Sequence, residues 1–473
     1  MGPTLALARF VAQGVFEDLP PSVAHQAKRC LIDWLGVTLG GQREPAAGLL
    51  MDYARLVGGA SQATVLGRGF RTSLPLAALV NGLAGHVLDF DDTLMSAETS
   101  LHGNTPVYAA ALAVAEWTRA SAAALLNAFV LGFEVAARVA LALGLQHYDA
   151  GWHATAVAGR FGAAAAAGKL MGLPEAQLAT AMGIVGTQAA GNKAVYGTMT
   201  KSLHAGRAAH DGVAAALLAR AGFTSAQDIL EAEHGMLRLY TSEPHPERLL
   251  PCPDGAYAVL EDGFKPYPCG SLIHASIDAA LEIAAAIPAL PLGDAVLSRE
   301  PALSGLERKE GNGEDVQWVQ RIEAKVNTYT ANVTTNADPR TGLETKFSAQ
   351  HAIAAALVRR RAGLDEFSDA AAKDPTIAAM RKRVQLIAVP SCGKEQATLT
   401  VHVEDGRTLQ AHVQQARGTV GRPLDDKALG EKYRALAEPV LGTRRAARLL
   451  ALLRRFEEVP LAAELCRLAR PAR

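Results

Sequence analysis

The sequence predicts a mainly α-helical protein, with a large all-helical domain and a smaller α+β lid domain. Three observations carry that expectation. Up to about residue 235, apolar residues recur at spacings of three and four in segments rich in Ala and Gly. No β-branched alternating run of convincing length appears before residue 257. After about residue 317 the period shortens to two, and Asp405-Gly406 separates two alternating runs, a strong hairpin signal.

In chain order, SVAHQAKRCLIDWLGVTLGG places Val23, Ala27, Cys30, Leu31 and Leu35 on a helical period that stops at Gly40-Gly41. SLPLAALVNGLAGHVLDF, VYAAALAVAEWT, SAAALLNAFVLGFEVAARVALAL, GRFGAAAAAGKLMGL and SLHAGRAAHDGVAAALLARAG continue in the same manner. Small residues let helices approach closely, so several of these helices are expected to be buried on nearly all sides. ALSGLERKEGNGEDVQW, residues 302–318, has no apolar period and is expected to be a flexible surface loop. Beyond it, Ile322, Ala324 and Val326 alternate, as do Ala397, Leu399, Val401 and Val403, followed after the turn by Leu409, Ala411 and Val413. SAQHAIAAALVRRR and DPTIAAMRKRVQ between them read as helical. The closing DDKALGEKYRALAEPV and AARLLALLRRFEE are helical again. The expected division is a helical domain from 1–262 and 420–473, with the lid at 263–419.

Composition narrows the function. The chain has 473 residues, 49% hydrophobic and 20% charged, with a net formal charge of +0, which gives no reason to expect nucleic acid or an anionic membrane as partner. Cys30, Cys252, Cys269, Cys392 and Cys466 are scattered, with the closest pair 17 apart and no CxxC, so neither a disulfide framework nor a zinc or iron–sulfur site is suggested. The N-terminus lacks a basic leader, and no charge-free apolar run reaches about 18 residues, so the expected location is the cytoplasm. Helices apolar nearly all round need more cover than one chain offers, which favours a homodimer.

Four short stretches could carry chemistry. HVLDFDDT crowds Asp89, Asp91 and Asp92 into an Ala- and Leu-rich neighbourhood, with His86 and Thr93 beside them and His102 nine residues beyond Thr93. On a continuous helix His86, Asp89 and Thr93 would share one face. A solvated turn accounts equally well for Asp91 and Asp92. In GWHATAVAGRFG, His153 precedes a small-residue helix, where a capping or core histidine is the plain alternative. In YGTMTKSLHAGRAAHDG a cap at Thr198 or Thr200 would set Lys201 and His204 on one face, with Lys201 against the positive end of the helix dipole. Such a lysine wants an anion nearby, either a carboxylate side chain or a bound acid. In GFKPYPCGSLIHASIDAA, Lys265 lies near the expected domain boundary, in reach of a cleft that closes with the lid. GAAAAAGKLMG is no phosphate loop, because Leu170 stands where Ser or Thr must hold the metal. The three acids find no second acidic cluster at matching spacing, so they do not suggest magnesium.

HVLDFDDT, HGNTPVYAAALA, GWHAT, GRFGAAAAAGKLMGL, GTMTKSLHAGRAAHDGVAAALLARAGFT, KPYPCGSLIHASIDAA and DPRTGLETKFSAQHAIA together resemble the MmgE/PrpD family, in the family's order and over about residues 10 to 440. The resemblance implies a cytoplasmic homodimer with no metal and no organic cofactor. It implies Asp89, His102, His153 and Lys201 as catalytic residues. Thr93, Lys201, His204, Lys265 and His274 are then expected to bind substrate. Many relatives carry His-Pro-Gly or His-Pro-Ser where this chain has His102-Gly103-Asn104, so the loop at the proposed catalytic histidine is altered.

The expected activity is that of a lyase on a small di- or tricarboxylate, most simply a 2-methylcitrate dehydratase-like removal of an α-proton and a β-hydroxyl. Epimerisation of an iminodisuccinate-like acid, decarboxylation of a cis-aconitate-like acid, and carboxylate binding without chemistry are the alternatives.

Overall fold

The computed structural model describes residues 2–95, 99–250, 256–286, 319–334 and 336–471. The expected loop at 302–318 lies outside them. The protein is mainly α, with a smaller α+β part. It divides into two compact units, one of residues 1–195, 199–264 and 423–473, the other of residues 196–198 and 265–422.

The first unit begins with helices α1 (Pro3–Gln13), α2 (Pro21–Gly41) and α3 (Pro45–Val57), a small hairpin of β1 (Ala63–Val65) and β2 (Phe70–Thr72), and α4 (Leu74–Ala84). Strands β3 (Asp92–Met95) and β4 (Ser100–Leu101) follow, then α5 (Asn104–Thr118), α6 (Ala122–Asp149), α7 (Ala154–Leu170), α8 (Glu175–Gly186), α9 (Met199–Arg220), the short α10 (Met236–Leu239) and β5 (Asp262–Phe264). The order β4-β3-β5 makes a small antiparallel sheet. Runs of two to four residues are too short to show a period, so these strands carry no signal in the sequence.

Close helix approach, expected from the Ala and Gly content, is visible at particular glycines. A Cβ on Gly206 of α9 would lie 2.4 Å from the Leu79 carbonyl of α4, and one on Gly82 would lie 2.7 Å from the Gly206 Cα. Gly132 of α6 and Gly162 of α7 meet likewise, each with a Cβ position 2.6 Å from the other's carbonyl oxygen. Between α2, α5 and α6 the core is aromatic: Tyr108 stacks on Phe129 at 3.7 Å and on Trp34 at 5.5 Å, and its hydroxyl donates to the Ala27 carbonyl at 2.6 Å. Helix α6 is the one described helix long and apolar enough to cross a membrane, and it is mostly buried in this core. Within it, Glu134 and Arg138 pair with each other at 2.6 Å.

The second unit carries α11 (His274–Ala286), β6 (Val319–Val326), α12 (Thr328–Val333), α13 (Gly342–Thr345), α14 (Ala349–Arg359), α15 (Asp369–Lys373), α16 (Pro375–Arg381), β7 (Val384–Ala388), β8 (Ala397–Val403) and β9 (Thr408–Val413). Its sheet runs β7-β6-β8-β9, with β6 and β7 parallel and the other pairs antiparallel. The Val403 amide donates to the Arg407 carbonyl at 2.9 Å across the Asp405-Gly406 turn, where Gly406 takes φ +87°, a region that favours glycine. Ile322, Ala324, Leu399 and Val401 point into a core completed by Ile277 and Ile353 from the two long helices.

The chain then returns to the first unit as α17 (Asp426–Leu441), α18 (Thr443–Arg454) and α19 (Ala463–Leu468). Helix α17 packs on α2, where Gly36 leaves a Cβ position only 3.2 Å from the Tyr433 Cα.

Candidate active site

The crowded acids sit where α4 stops, and the single-face expectation for His86, Asp89 and Thr93 does not hold. Helix α4 ends at Ala84, residues 85–89 form a turn, and Thr93 lies on β3. Asp89 itself takes φ +50°, a left-handed backbone uncommon for a residue other than glycine. That turn aims its carboxylate at α9, where the Lys201 ammonium donates to Asp89 Oδ1 at 3.0 Å. Both side chains are buried. Lys201 stands in the first turn of α9, against the helix dipole, so Asp89 supplies the anion that this position calls for.

Asp91 and Asp92 are fully buried rather than solvated, and each holds a part of the site in place. His86 Nδ1–H donates to Asp91 Oδ2 at 2.7 Å, and the Thr105 hydroxyl donates to the same oxygen at 3.1 Å. Asp92 Oδ2 accepts from the Gly103 and Asn104 amides at 2.8 and 3.1 Å, so it caps the start of α5. Proline could not donate from position 103, so the altered His102-Gly103-Asn104 loop gains a hydrogen bond that a His-Pro sequence lacks. A Cβ on Gly103 would meet the Phe133 ring at 2.5 Å, which leaves this backbone no side chain to carry.

His102 is oriented from both ends. Its backbone N–H donates to Thr155 Oγ1 at 3.0 Å, and its Nδ1–H donates to the Asp92 carbonyl at 2.5 Å, with Thr93 Oγ1 a weaker second acceptor at 3.4 Å. A neutral His102 therefore presents Nε2 as its basic nitrogen. His153 precedes α7, with its amide donated to the Gly191 carbonyl at 3.1 Å and its Nδ1 3.0 Å from Nδ1 of His204 on α9. One nitrogen of that pair carries the proton and the other accepts it. The rings of His86 and His102 lie 4.8 Å apart, those of His86 and His153 5.8 Å, and those of His102 and His153 6.4 Å.

Burial favours the neutral form of His86, His153 and His204. It lowers the pKa of His86 although Asp91 opposes it, and it pushes His153 well down with help from the Lys201 charge. His204 is lowered to about 4, chiefly by burial and then by His86. Burial, and then mutual repulsion among the buried acids, holds Asp92 and Asp262 well above the usual carboxylate range.

The first unit thus brings together Asp89, Thr93, His102, His153, Lys201 and His204. Lys265 and His274 belong to the second unit, where both are buried and His274 Nε2–H donates to the Cys269 carbonyl at 3.2 Å. Sequence reasoning missed the supporting residues. Asp262 accepts from Asn104 Nδ2 at 3.2 Å, and Lys432 of α17 donates to Asp33 and to the Phe90 carbonyl, each at 2.6 Å. Arg160 bonds Asp211 at 2.9 Å and the Ala190 carbonyl at 2.8 Å, which steadies the loop that holds His153. None of these has a spacing signal, because each partner is distant in sequence. His86 had one, three residues before Asp89, but only the tertiary cluster makes it part of the site. Among the described residues, His86, His102 and His153 form a group that could hold a metal ion.

Fold and site together define a mainly helical protein with a buried ammonium–carboxylate pair ringed by histidines, suited to an anionic ligand and to proton transfer. The chain belongs to the MmgE/PrpD family: the model of the family's N-terminal domain matches residues 5–249 and that of its C-terminal domain residues 267–458. It is 28% identical to the cis-aconitate decarboxylase of Mus musculus over 469 residues, covering 95% of this chain and 90% of that protein. Identity to the Homo sapiens cis-aconitate decarboxylase is 27% over 453 residues, with 93% and 89% covered. For the cis-aconitate decarboxylase of Aspergillus terreus it is 25% over 460 residues, with 93% and 90% covered.

Proposed function

We propose that the chain is a lyase acting on a small di- or tricarboxylate, and that its reaction is decarboxylation of a cis-aconitate-like tricarboxylate. The observation that carries this reading is the buried Lys201–Asp89 pair set among His86, His102, His153 and His204. An ammonium in a low-dielectric pocket draws a carboxylate, and imidazoles held neutral can move protons beside it. The decarboxylase relatives support decarboxylation over the dehydration that the sequence reading puts first.

In the proposed reaction the bond from a methylene carbon to its carboxylate breaks and CO₂ leaves. The released electron pair forms a new C=C bond to the central carbon, and the old π pair takes a proton at the far alkene carbon. Lys201 stabilises the carboxylates that remain, a contribution of about 3–4 kcal/mol for one well-placed donor. His102 and His153 are the candidate proton carriers, with His204 handing protons to His153 across their 3.0 Å contact. Asp89 keeps Lys201 charged, and Thr93 orients His102. Lys265 and His274 are proposed as further substrate-binding residues.

Incubation with cis-aconitate and with 2-methylcitrate in heavy water tests the reading. CO₂ release with one deuterium placed on the product carbon supports decarboxylation. Loss of water without CO₂ identifies a dehydratase, and deuterium exchange without other change in mass identifies an epimerase. Either would replace the proposal. We also propose a homodimer, supported by the exposed Leu49, Tyr53 and Leu56, which recur on a helical period along α3.

A further inference from the structure

We propose that His86, His102 and His153 form a binding site for a divalent transition cation of the Zn²⁺ class, and that occupancy of this site inhibits the enzyme. One ring nitrogen from each histidine lies within 4.8 Å of the other two. A tetrahedral cation with nitrogens at about 2.0–2.1 Å needs them about 3.3–3.4 Å apart, so the rings must close by no more than about 1.5 Å.

The outer arrangement is that of a metal site. Metal-binding histidines are oriented by a second group on the ring nitrogen that faces away from the ion, commonly a carboxylate or a backbone carbonyl. Here His86 Nδ1 is held by the Asp91 carboxylate at 2.7 Å, His102 Nδ1 by the Asp92 carbonyl at 2.5 Å, and His153 Nδ1 by His204 at 3.0 Å. That assigns Nε2 of each ring to the ion. His86 Nε2 is itself fully buried and makes no hydrogen bond among the described residues.

Buried carboxylates offset the Lys201 charge that acts on these rings. Lys201 is balanced by Asp89 at 3.0 Å, and Asp91 adds a further buried carboxylate. Three neutral imidazoles with a fourth position for water or a substrate carboxylate suit Zn²⁺ or Co²⁺ and not Mg²⁺ or Ca²⁺, which prefer oxygen. Occupancy takes the basic nitrogens of His102 and His153 away from proton transfer, so the bound ion blocks turnover. This consequence rests on the function proposed above; the binding itself does not.

The test is titration of Co²⁺ into the full-length, tag-free protein after chelator treatment. The expected result is one ion per chain with the intense visible bands of a four- or five-coordinate site. His86→Gln and His153→Gln should each abolish those bands, while Asp91→Asn, which removes only the outer partner of His86, should weaken binding about 10–100-fold. Circular dichroism of each variant guards against simple misfolding. Absence of the bands at millimolar Co²⁺, or bands unchanged in both histidine variants, overturns the site. Zn²⁺ inhibition reversed by chelator supports the inhibitory role. If the chelated enzyme is inactive and Zn²⁺ restores it, the inhibitory role fails and the ion is a cofactor. If decarboxylation proceeds but no metal binds, this inference fails alone and the proposed function stands.

Discussion

Replacing Asp89 by Asn is the sharpest perturbation of the site. Asn keeps the size of the side chain and tolerates the left-handed backbone at φ +50°, so the change isolates charge. It leaves the Lys201 ammonium buried without its carboxylate, 3.0 Å from an amide and among histidines that its charge already disfavours protonating. Breaking a buried pair from one side costs about 3–5 kcal/mol, whereas removing both charges is often neutral. Asp89→Asn should therefore cost about 3–5 kcal/mol, and Asp89→Asn with Lys201→Met should recover all but about 1 kcal/mol of it. Urea unfolding followed by tryptophan fluorescence reads this change, because Trp34, Trp117 and Trp152 all lie in the first unit. Both variants should lose turnover. An Asp89→Asn protein with the wild-type midpoint, or a double variant no more stable than the single, would refute the reasoning.

Gly103→Ala should cost about 1–3 kcal/mol and lower kcat by displacing His102, since its Cβ would lie 2.5 Å from the Phe133 ring; adding Phe133→Leu should restore part of both, measured by thermal midpoint and initial rate. Gly206→Ala should destabilise the α4–α9 crossing by a similar amount and weaken activity through Lys201, because its Cβ would lie 2.4 Å from the Leu79 carbonyl. His147 is buried neutral with its pKa lowered to about 4, chiefly by burial, against about 6.5 in the unfolded chain. The unfolded chain then binds more protons in that window, so stability is full above about pH 6.5 and falls progressively toward pH 4; His147→Gln should flatten this slope in acid unfolding curves. Leu56→Asp on α3 should yield monomers in sedimentation analysis if the exposed apolar stripe joins two copies, and an unchanged dimer would place the interface elsewhere.

The sequence by itself determined the local geometry of this protein. Period-three-and-four apolar spacing specifies α2, α4 to α7 and α9, because side-chain direction repeats with the backbone. The alternation around Asp405-Gly406 specifies the β8–β9 hairpin for the same reason. Polar groups in Ala-rich surroundings also marked Asp89, His102, His153 and Lys201, since an unpaired polar group there costs energy and invites a partner. What those partners are was decided only by tertiary structure. Lys201 meets Asp89 across 112 residues of chain, and His204 meets His153 across 51. The end of α4 at Ala84, the left-handed Asp89 and the burial of Asp91 and Asp92 all depend on α9, α5 and β5 arriving from elsewhere. A spacing rule reaches one or two helical turns, whereas a site of buried charges is set by which helices can pack closely enough to replace the water those charges have lost.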